Sequence, residues 1–328
     1  MKKVLFVAAS AVLVMSSCSN EISESFKTSF DERTPLTVST YTPGLTRVAA
    51  GSDAVVVNDA ALQAGGFWLA ATAAGEEEDL ISASLFTYSA GAWSSSLDEI
   101  YWPLDPTTVV SFYGFYNNSS EIVPEGLNTG TVALSPDGET DLMAVYKATS
   151  LAGNNGSSNV SLAFDHILAQ VTFNVTPAVS GYQYVIGDIS VEAPYGLNYS
   201  LSEKAFMAPT DAVPESPTHT YPVNSGETSE QYLTSGDTIT TTSKVGRTLM
   251  VTPGSCTLSI TYQINVMDGN GGVAQLNQYK TASATFTAVA GKSNVLNISL
   301  SPDNVPLSVS ASVNGWDATA NNITPTLE

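Results

Sequence analysis

Apolar and polar residues alternate with a period of two over most of the chain, which is the pattern of half-buried β-strands. In the segment 160–175, for example, Val171, Phe173 and Val175 fall on one face of an extended backbone. The same reasoning predicts further strands at 67–73, 85–93, 109–117, 130–136, 142–149, 182–193, 247–253, 256–267, 282–289, 293–300 and 306–313.

The first predicted strand covers residues 35–42, where Leu36 and Val38 share one face and Thr37 and Ser39 share the other. Turn residues separate this strand and those that follow it, as in the run Met-Asp-Gly-Asn-Gly-Gly at 267–272, which predicts a hairpin loop. The many short strands with regular turns predict an all-β fold of sandwich or barrel type, with no helix longer than a turn or two.

Two longer stretches interrupt the strand pattern. Residues 150–159 are rich in Gly, Asn and Ser, and they form a candidate domain boundary. Residues 207–243 are rich in Pro, Ser and Thr, and we interpret them as a long loop or an irregular excursion.

Aromatic residues cluster in the strand predicted at 109–117 and just before it. In the run Ser-Phe-Tyr-Gly-Phe-Tyr-Asn, rings occur on both faces of the strand, which favours a strand buried on two sides. The alternative is a surface of exposed rings that stacks on sugars, for which Trp93 and Trp102 are the candidate residues.

Charge and composition exclude several classes of protein. The 328-residue chain has 31 acidic and 11 basic residues, and its formal net charge is −20. A nucleic-acid-binding protein needs a basic face to meet phosphates, which this balance does not supply. Because 43% of the residues are hydrophobic, the chain is also not an acidic disordered segment.

The N-terminus has the features of an export signal. Two lysines precede an apolar run over residues 4–15, which is too short to span a bilayer. Small residues then precede Cys18, and this arrangement resembles the lipidation signal of bacterial lipoproteins, in which the cysteine becomes the acylated N-terminus. We therefore expect a signal peptide at 1–17 and a linker at 18–34. The other cysteine, Cys256, is interpreted as a buried apolar side chain, so no disulfide is expected.

The sequence contains no recognisable catalytic or metal-binding arrangement. Asp165 and His166 are adjacent in a predicted strand, so their side chains point to opposite faces and cannot form a direct pair. His219 lies in a predicted surface loop, and two histidines with one lone thiol do not make a zinc site. We expect no catalytic residue, no metal, no cofactor and no enzymatic activity.

Four features together resemble the fimbrillin family of Bacteroidales, the Mfa-like and FimA-like pilin lipoproteins. The first is the cysteine at the end of the signal peptide, and the second is the Tyr-Trp-Pro motif that begins the aromatic stretch 101–117. The third is the stretch 141–150 leading into 160–175, and the fourth is the strand at 309–317 that ends near Trp316.

The resemblance implies two tandem β-sandwich domains of transthyretin-like type, at 35–158 and 159–328. It also implies assembly by strand exchange: a protease cuts after an arginine near the N-terminus, removes the first strand, and the opened groove accepts a strand from another subunit. In this chain the expected cleavage site is Arg47, with a removable segment at 35–47, because cutting at the alternative, Arg33, would leave the first strand in place.

The implied function is that of a structural or accessory subunit of a cell-surface fimbria, exported as a lipoprotein. The expected partners are other fimbrial subunits, the outer membrane through a lipid on Cys18, and a host or bacterial surface receptor, with no nucleic acid. The alternative function is an outer-membrane lipoprotein that binds glycans through the candidate aromatic surface.

Overall fold

The computed structural model describes residues 33–43, 59–97, 99–119, 121–208, 218–223, 236–239, 244–302, 308–315 and 321–323. Strands dominate these residues, beside one seven-residue helix, α1 (Asp59–Gly65), and a single 3-10 turn at Leu127–Thr129. The all-β prediction is therefore confirmed.

The strands fall into two groups along the chain. The first group is β1 (Thr37–Tyr41), β2 (Phe67–Ala73), β3 (Asp79–Ser89), β4 (Ala92–Ser94), β5 (Val110–Tyr116), β6 (Thr131–Leu134), β7 (Met143–Thr149), β8 (Asn159–Ala163) and β9 (Asp165–His166). The second group is β10 (Ala169–Pro177), β11 (Tyr182–Pro194), β12 (Leu197–Ser200), β13 (Ala205–Met207), β14 (Thr218–Pro222), β15 (Thr238–Ile239), β16 (Lys244–Val245), β17 (Leu249–Val251), β18 (Gly254–Met267), β19 (Val273–Ala288), β20 (Lys292–Leu300), β21 (Ser308–Gly315) and β22 (Asn321–Ile323).

The centre of the first group is a six-stranded sheet in the order β4–β3–β2–β5–β7–β9. Both of its faces are covered, so β2 is buried along nearly its whole length. Phe67 and Leu69 belong to the cluster on one face, while Trp68 and Ala70 belong to the cluster on the other. The prediction of a strand with buried rings on two sides is confirmed at β5, since Phe112 and Phe115 belong to opposite clusters and both are buried.

One face of this sheet is covered by a parallel pair of strands, β1 and β8. The hydrophobic cluster between them and the six-stranded sheet, here called the first core, includes side chains of both covering strands, such as Val38 and Leu162. The opposite face is covered by a three-stranded sheet in the order β13–β12–β6, and the cluster there, here called the middle core, includes Leu134 and Tyr199.

The second group of strands forms two further sheets around a hydrophobic cluster that we call the second core. One has the order β14–β11–β18–β19, with β15 also paired to β11, and the other has the order β16–β10–β20–β21–β22, with β17 also paired to β10. The second core takes side chains from both sheets, including Phe173 of β10 and Tyr184 of β11. Two sheets of the second group therefore contribute to one core, and the predicted sandwich architecture stays a prediction.

The structure refines two local predictions. The predicted hairpin loop at 267–272 joins β18 to β19, and there the Asp268 carboxylate accepts hydrogen bonds from the backbone N–H groups of Asn270 and Gly272. The stretch 207–243, interpreted as loop from its composition, contains the strands β14 and β15, which both pair with β11. Pairing with a neighbouring strand, rather than local composition, makes β14 and β15 extended.

Three strand pairings cross the predicted division between residues 158 and 159, and one of them joins β7 to β9 through Met143↔His166. β8 pairs with β1, and β12 pairs with β6 through Leu197↔Leu134 and Tyr199↔Val132. The segment containing β12 and β13 thus returns to cover the sheet of the first group. The two-domain division stays a prediction, and any division must account for these exchanged elements.

Candidate functional site

The N-terminal strand has backbone partners on both of its edges. On one side, Leu36 N–H donates to the carbonyl of Ile100 at 2.8 Å, and Trp102 N–H donates to the carbonyl of Thr34 at 3.0 Å. On the other side, Thr37 N–H donates to the carbonyl of Ser158 at 3.0 Å. The start of the chain's first strand therefore lies between two other segments and is not an edge added to the outside.

From Thr37 onward, β1 runs parallel to β8 in an unbroken register that ends at Tyr41↔Ala163. Phe164 N–H donates to the carbonyl of Tyr41 at 2.9 Å at the far end of this ladder. The side-chain amide of Asn159 also donates to the hydroxyl of Ser39 at 2.9 Å. These contacts fix the alignment of β1 against β8 at both ends and in the middle.

The side chains of β1 follow the predicted alternation. Leu36 and Val38 are each only 6% exposed and belong to the first core, whereas Thr37 and Tyr41 are exposed. Because side chains at alternate positions of a strand lie on the same face, this segment presents its apolar face inward and its polar face outward. The strand predicted at 35–42 is found here, and its inner face forms part of the core.

Trp102 is buried beside the start of β1. The ring is 2% exposed, packs against Phe112 with ring centroids 6.0 Å apart, and donates its indole N–H to the Ser158 carbonyl at 3.3 Å. That carbonyl is also the acceptor for Thr37 N–H. A ring that is buried in this way cannot stack on a sugar, so the structure contradicts the prediction that Trp102 is part of an exposed aromatic surface. Trp102 instead packs beside the start of β1.

The other candidate ring, Trp93, is half-buried. It packs edge-on against Phe67, with centroids 4.7 Å apart, and lies 5.2 Å from the ring of Tyr88. The contact with Phe67 packs Trp93 on the first core, whereas Tyr88 is an exposed residue of β3. The two candidate tryptophans thus pack against the same core and do not form one continuous surface.

The two histidines occupy different environments. His166 lies against the buried carboxylate of Asp141, with Nδ1 2.7 Å from Oδ2, while the adjacent Asp165 forms an ion pair with Lys204 at 2.6 Å. As predicted, Asp165 and His166 do not form a pair. Asp141 is the partner that sequence analysis missed, and no local pattern identifies it because it lies 25 residues away. His219 is exposed and stacks on Tyr195.

Cys256 is buried in the second core, as predicted, and burial raises the pKa of its thiol to about 12. Two other predicted residues, Cys18 and Arg47, lie outside the described residues, as does Trp316. Arg33 lies in the described part and is exposed immediately before the bonded segment that starts at Thr34.

The described residues contain no group of three or more His, Cys, Asp or Glu side chains arranged to hold a metal ion. Within the same residues, no helix has the length and apolar character needed to cross a membrane.

A sequence model for the family described as fimbrillin-like matches residues 46–316. The chain belongs to the fimbrillin-like family. The resemblance drawn from the sequence motifs is thereby confirmed, and this family points to a structural, non-enzymatic protein of the cell surface. A search of curated proteins found no match to the sequence.

Of two solved structures similar to this fimbrillin-like chain, one supports its fold. A fimbrial protein from Bacteroides vulgatus ATCC 8482 is 13% identical, covers 87% of this chain and 99% of its own, and superposes with a TM-score of 0.58. A protein from Parabacteroides distasonis ATCC 8503, described as a candidate cell adhesion protein, is also 13% identical, with 90% and 99% coverage and a TM-score of 0.49. At this identity, the first comparison shows a shared fold.

Proposed function

We propose that this fimbrillin-like chain is a subunit of a cell-surface fimbria, exported as a lipoprotein and assembled by strand exchange after proteolysis at Arg47. One observation carries the proposal: residues 34–36 bond to residues 100 and 102, β1 pairs with β8, and this segment covers the first core, so its removal would open a strand-shaped groove rather than trim an exposed end.

The groove would have both kinds of recognition that strand addition uses. Its backbone groups include the N–H of Trp102 and the carbonyls of Ile100 and Ser158, all of which now bond to residues 34–37. Its pockets are those that Leu36 and Val38 now fill. Each hydrogen bond contributes about 1 kcal/mol net, and leaving buried groups without partners costs more, so an incoming strand is strongly favoured.

The position of the cut decides whether the groove opens. Hydrolysis after Arg33 would leave Thr34 and all of β1 bonded in place. Hydrolysis after Arg47 would separate the whole strand from the rest of the chain, so that it could leave. This reasoning favours Arg47 as the functional processing site.

Export and anchoring follow from the N-terminal sequence. The apolar run at 4–15 and the small residues before Cys18 support a lipoprotein precursor held at the outer membrane by acyl chains. A lipid tether suits this chain because a net charge of −20 gives it no electrostatic attraction to anionic lipid.

The test is digestion of the exported chain with an arginine-specific protease, comparing the natural sequence with Arg47→Lys and Arg33→Lys. Both substitutions keep the positive charge and remove one cleavage site each. We expect the natural chain and the Arg33→Lys variant to yield a product that starts at Val48 and forms SDS-resistant oligomers, and the Arg47→Lys variant to do neither. N-terminal sequencing and gel electrophoresis measure the outcome.

Clean cleavage after Arg47 with a product that stays monomeric would contradict strand exchange. Oligomers of equal abundance from the Arg47→Lys variant would show that assembly does not depend on releasing β1.

A further inference from the structure

A second strand-shaped cleft lies beside β6, in a different part of the molecule from β1. It has a volume of about 640 Å³, within the range of peptide and ligand sites. Three short runs of residues supply most of its lining: 122–125, 132–137, and 196–198 at the start of β12. Because successive side chains of a strand point to opposite faces, a cleft that contacts residues 132, 133 and 134 in succession reaches the backbone edge of β6.

The hydrogen-bond alternation of β6 directs backbone groups into this cleft. Leu201 N–H donates to the Gly130 carbonyl at 2.9 Å, which makes residues 130, 132 and 134 the ones that bond to the β12 side. Ala133 therefore turns its N–H and C=O toward the opposite edge. Thr131 confirms the direction, since its N–H donates to the Gly126 carbonyl on that side. Among the described residues, no strand pairs with this edge of β6.

The cleft also exposes apolar surface. Phe115 and Leu142, both buried, lie at its base, and Ile122 and Val123 on its rim are 68% and 49% exposed. Two adjacent large aliphatic side chains held in solvent beside an open strand edge are a feature of recognition surfaces. The free edge and the apolar rim together have the properties of a site for β-strand addition.

Charge indicates what kind of strand fits. Glu125 and Asp137 border the cleft and Glu121 is exposed next to it, while the sequence from 48 to 146 contains no Lys or Arg. These acidic side chains would repel an incoming segment that has acidic flanks. A segment with positive flanks would be attracted and oriented.

We propose that this cleft binds an extended segment of a partner protein that has alternating apolar side chains and a flanking Lys or Arg. The segment adds to β6 as the fourth strand of the sheet β13–β12–β6, with its backbone bonded to Ala133 and its apolar side chains against Ile122 and Val123. This site goes beyond the proposed strand exchange, because it is available while β1 is still in place.

The test uses the full chain carrying Arg47→Lys, so that β1 is retained. The probe is a synthetic peptide of alternating valine and threonine with a lysine at each end, compared by calorimetry with the same peptide flanked by glutamates. We expect saturable one-to-one binding of the lysine-flanked peptide and binding at least about tenfold weaker for the glutamate-flanked one.

Two controls distinguish strand addition from nonspecific binding of the peptide. Val123→Ser should weaken binding about fivefold through lost apolar contact, whereas Val179→Ser, at a valine 45% exposed outside the cleft, should leave it unchanged. N-methylation of the peptide amides on one strand edge should abolish binding, and methylation on the other edge should preserve it, because only one edge bonds to β6.

The absence of saturable binding, or equal binding by both N-methylated peptides, would overturn the proposal. So would dimerisation of the chain alone that Val123→Ser abolishes, because the occupant would then be a second copy. These results do not depend on the protease experiment, so either proposal can fail without the other.

Discussion

At the scale of single residues, several polar and ionisable groups bond to partners that lie far away in the sequence. His166 bonds to Asp141, Asp165 pairs with Lys204, and the Trp102 indole donates to Ser158. Alternation along a strand explains why neighbours such as Asp165 and His166 take different partners. The alternation does not identify the partner residues, because these depend on which strands pair in the folded protein.

Cys256 gives a prediction at this scale. Since burial raises the pKa of its thiol to about 12, only about one molecule in 10⁴ carries the reactive thiolate at pH 8. In a chain with Cys18→Ser, so that Cys256 is the one remaining thiol, we expect iodoacetamide at pH 8 to modify the folded protein at least about 100-fold more slowly than the guanidinium-unfolded protein. Mass spectrometry follows the reaction. Modification at similar rates would show that the second core opens readily around this residue.

At the scale of elements, β1 is a structural strand as well as a candidate for removal. Its inner side chains fill part of the first core, its backbone pairs with β8, and the residues just before it bond to residues 100 and 102. Core packing and backbone pairing are both needed if the loss of this segment is to drive assembly. Removal then leaves apolar pockets and unpaired backbone groups, which another strand can fill and bond. The same logic distinguishes β1 from a flexible tail, whose loss would change nothing.

We therefore expect Val38→Ala to lower the free energy of unfolding of the uncut chain by about 1.5 kcal/mol, from the apolar groups removed from the first core. Thr37→Ala, on the exposed face of the same strand, is the matched control and should change it by less than about 0.5 kcal/mol. Urea unfolding followed by tryptophan fluorescence measures both. Equal effects would mean that β1 does not pack as a core strand in solution.

At the scale of the whole molecule, the loop between β6 and β7 contacts residues of the second group of strands. The Tyr221 hydroxyl donates to the Pro136 carbonyl at 3.1 Å, Met250 N–H donates to the Gly138 carbonyl at 2.9 Å, and Arg247 pairs with Glu139 at 3.0 Å. In the opposite direction, β12 and β13 return to cover the middle core. With each group of strands supplying part of the other's packing, we expect the chain to unfold as one cooperative unit.

Gly138 tests this coupling. Its φ is +84°, and an added Cβ would lie 2.7 Å from the Tyr221 ring, whereas Gly75 has a φ of +86° and no atom within 4 Å of its Cβ position. Both alanine variants share the backbone strain, so only Gly138→Ala should add a clash, costing about 1–3 kcal/mol more than Gly75→Ala. Calorimetry should show a single transition for the natural chain and for Gly75→Ala, and a lower, broadened or divided transition for Gly138→Ala. Identical scans for the two variants would refute the coupling.

The sequence by itself determined the all-β class, the position of most strands, and which side chains of β1 and β5 face a core, because the period-two pattern and the turn residues are local properties of the chain. It also led to the family through its motifs. Only the tertiary structure decided that β1 pairs with β8 while the residues before it bond to residues 100 and 102, and that Trp102 is buried beside them. It also decided that β12 returns to β6 and that an edge remains open beside Ala133 among the described residues. The physical reason is that strand pairing joins residues far apart in sequence: a strand's own residues specify its two faces, and the strands around it specify its two edges.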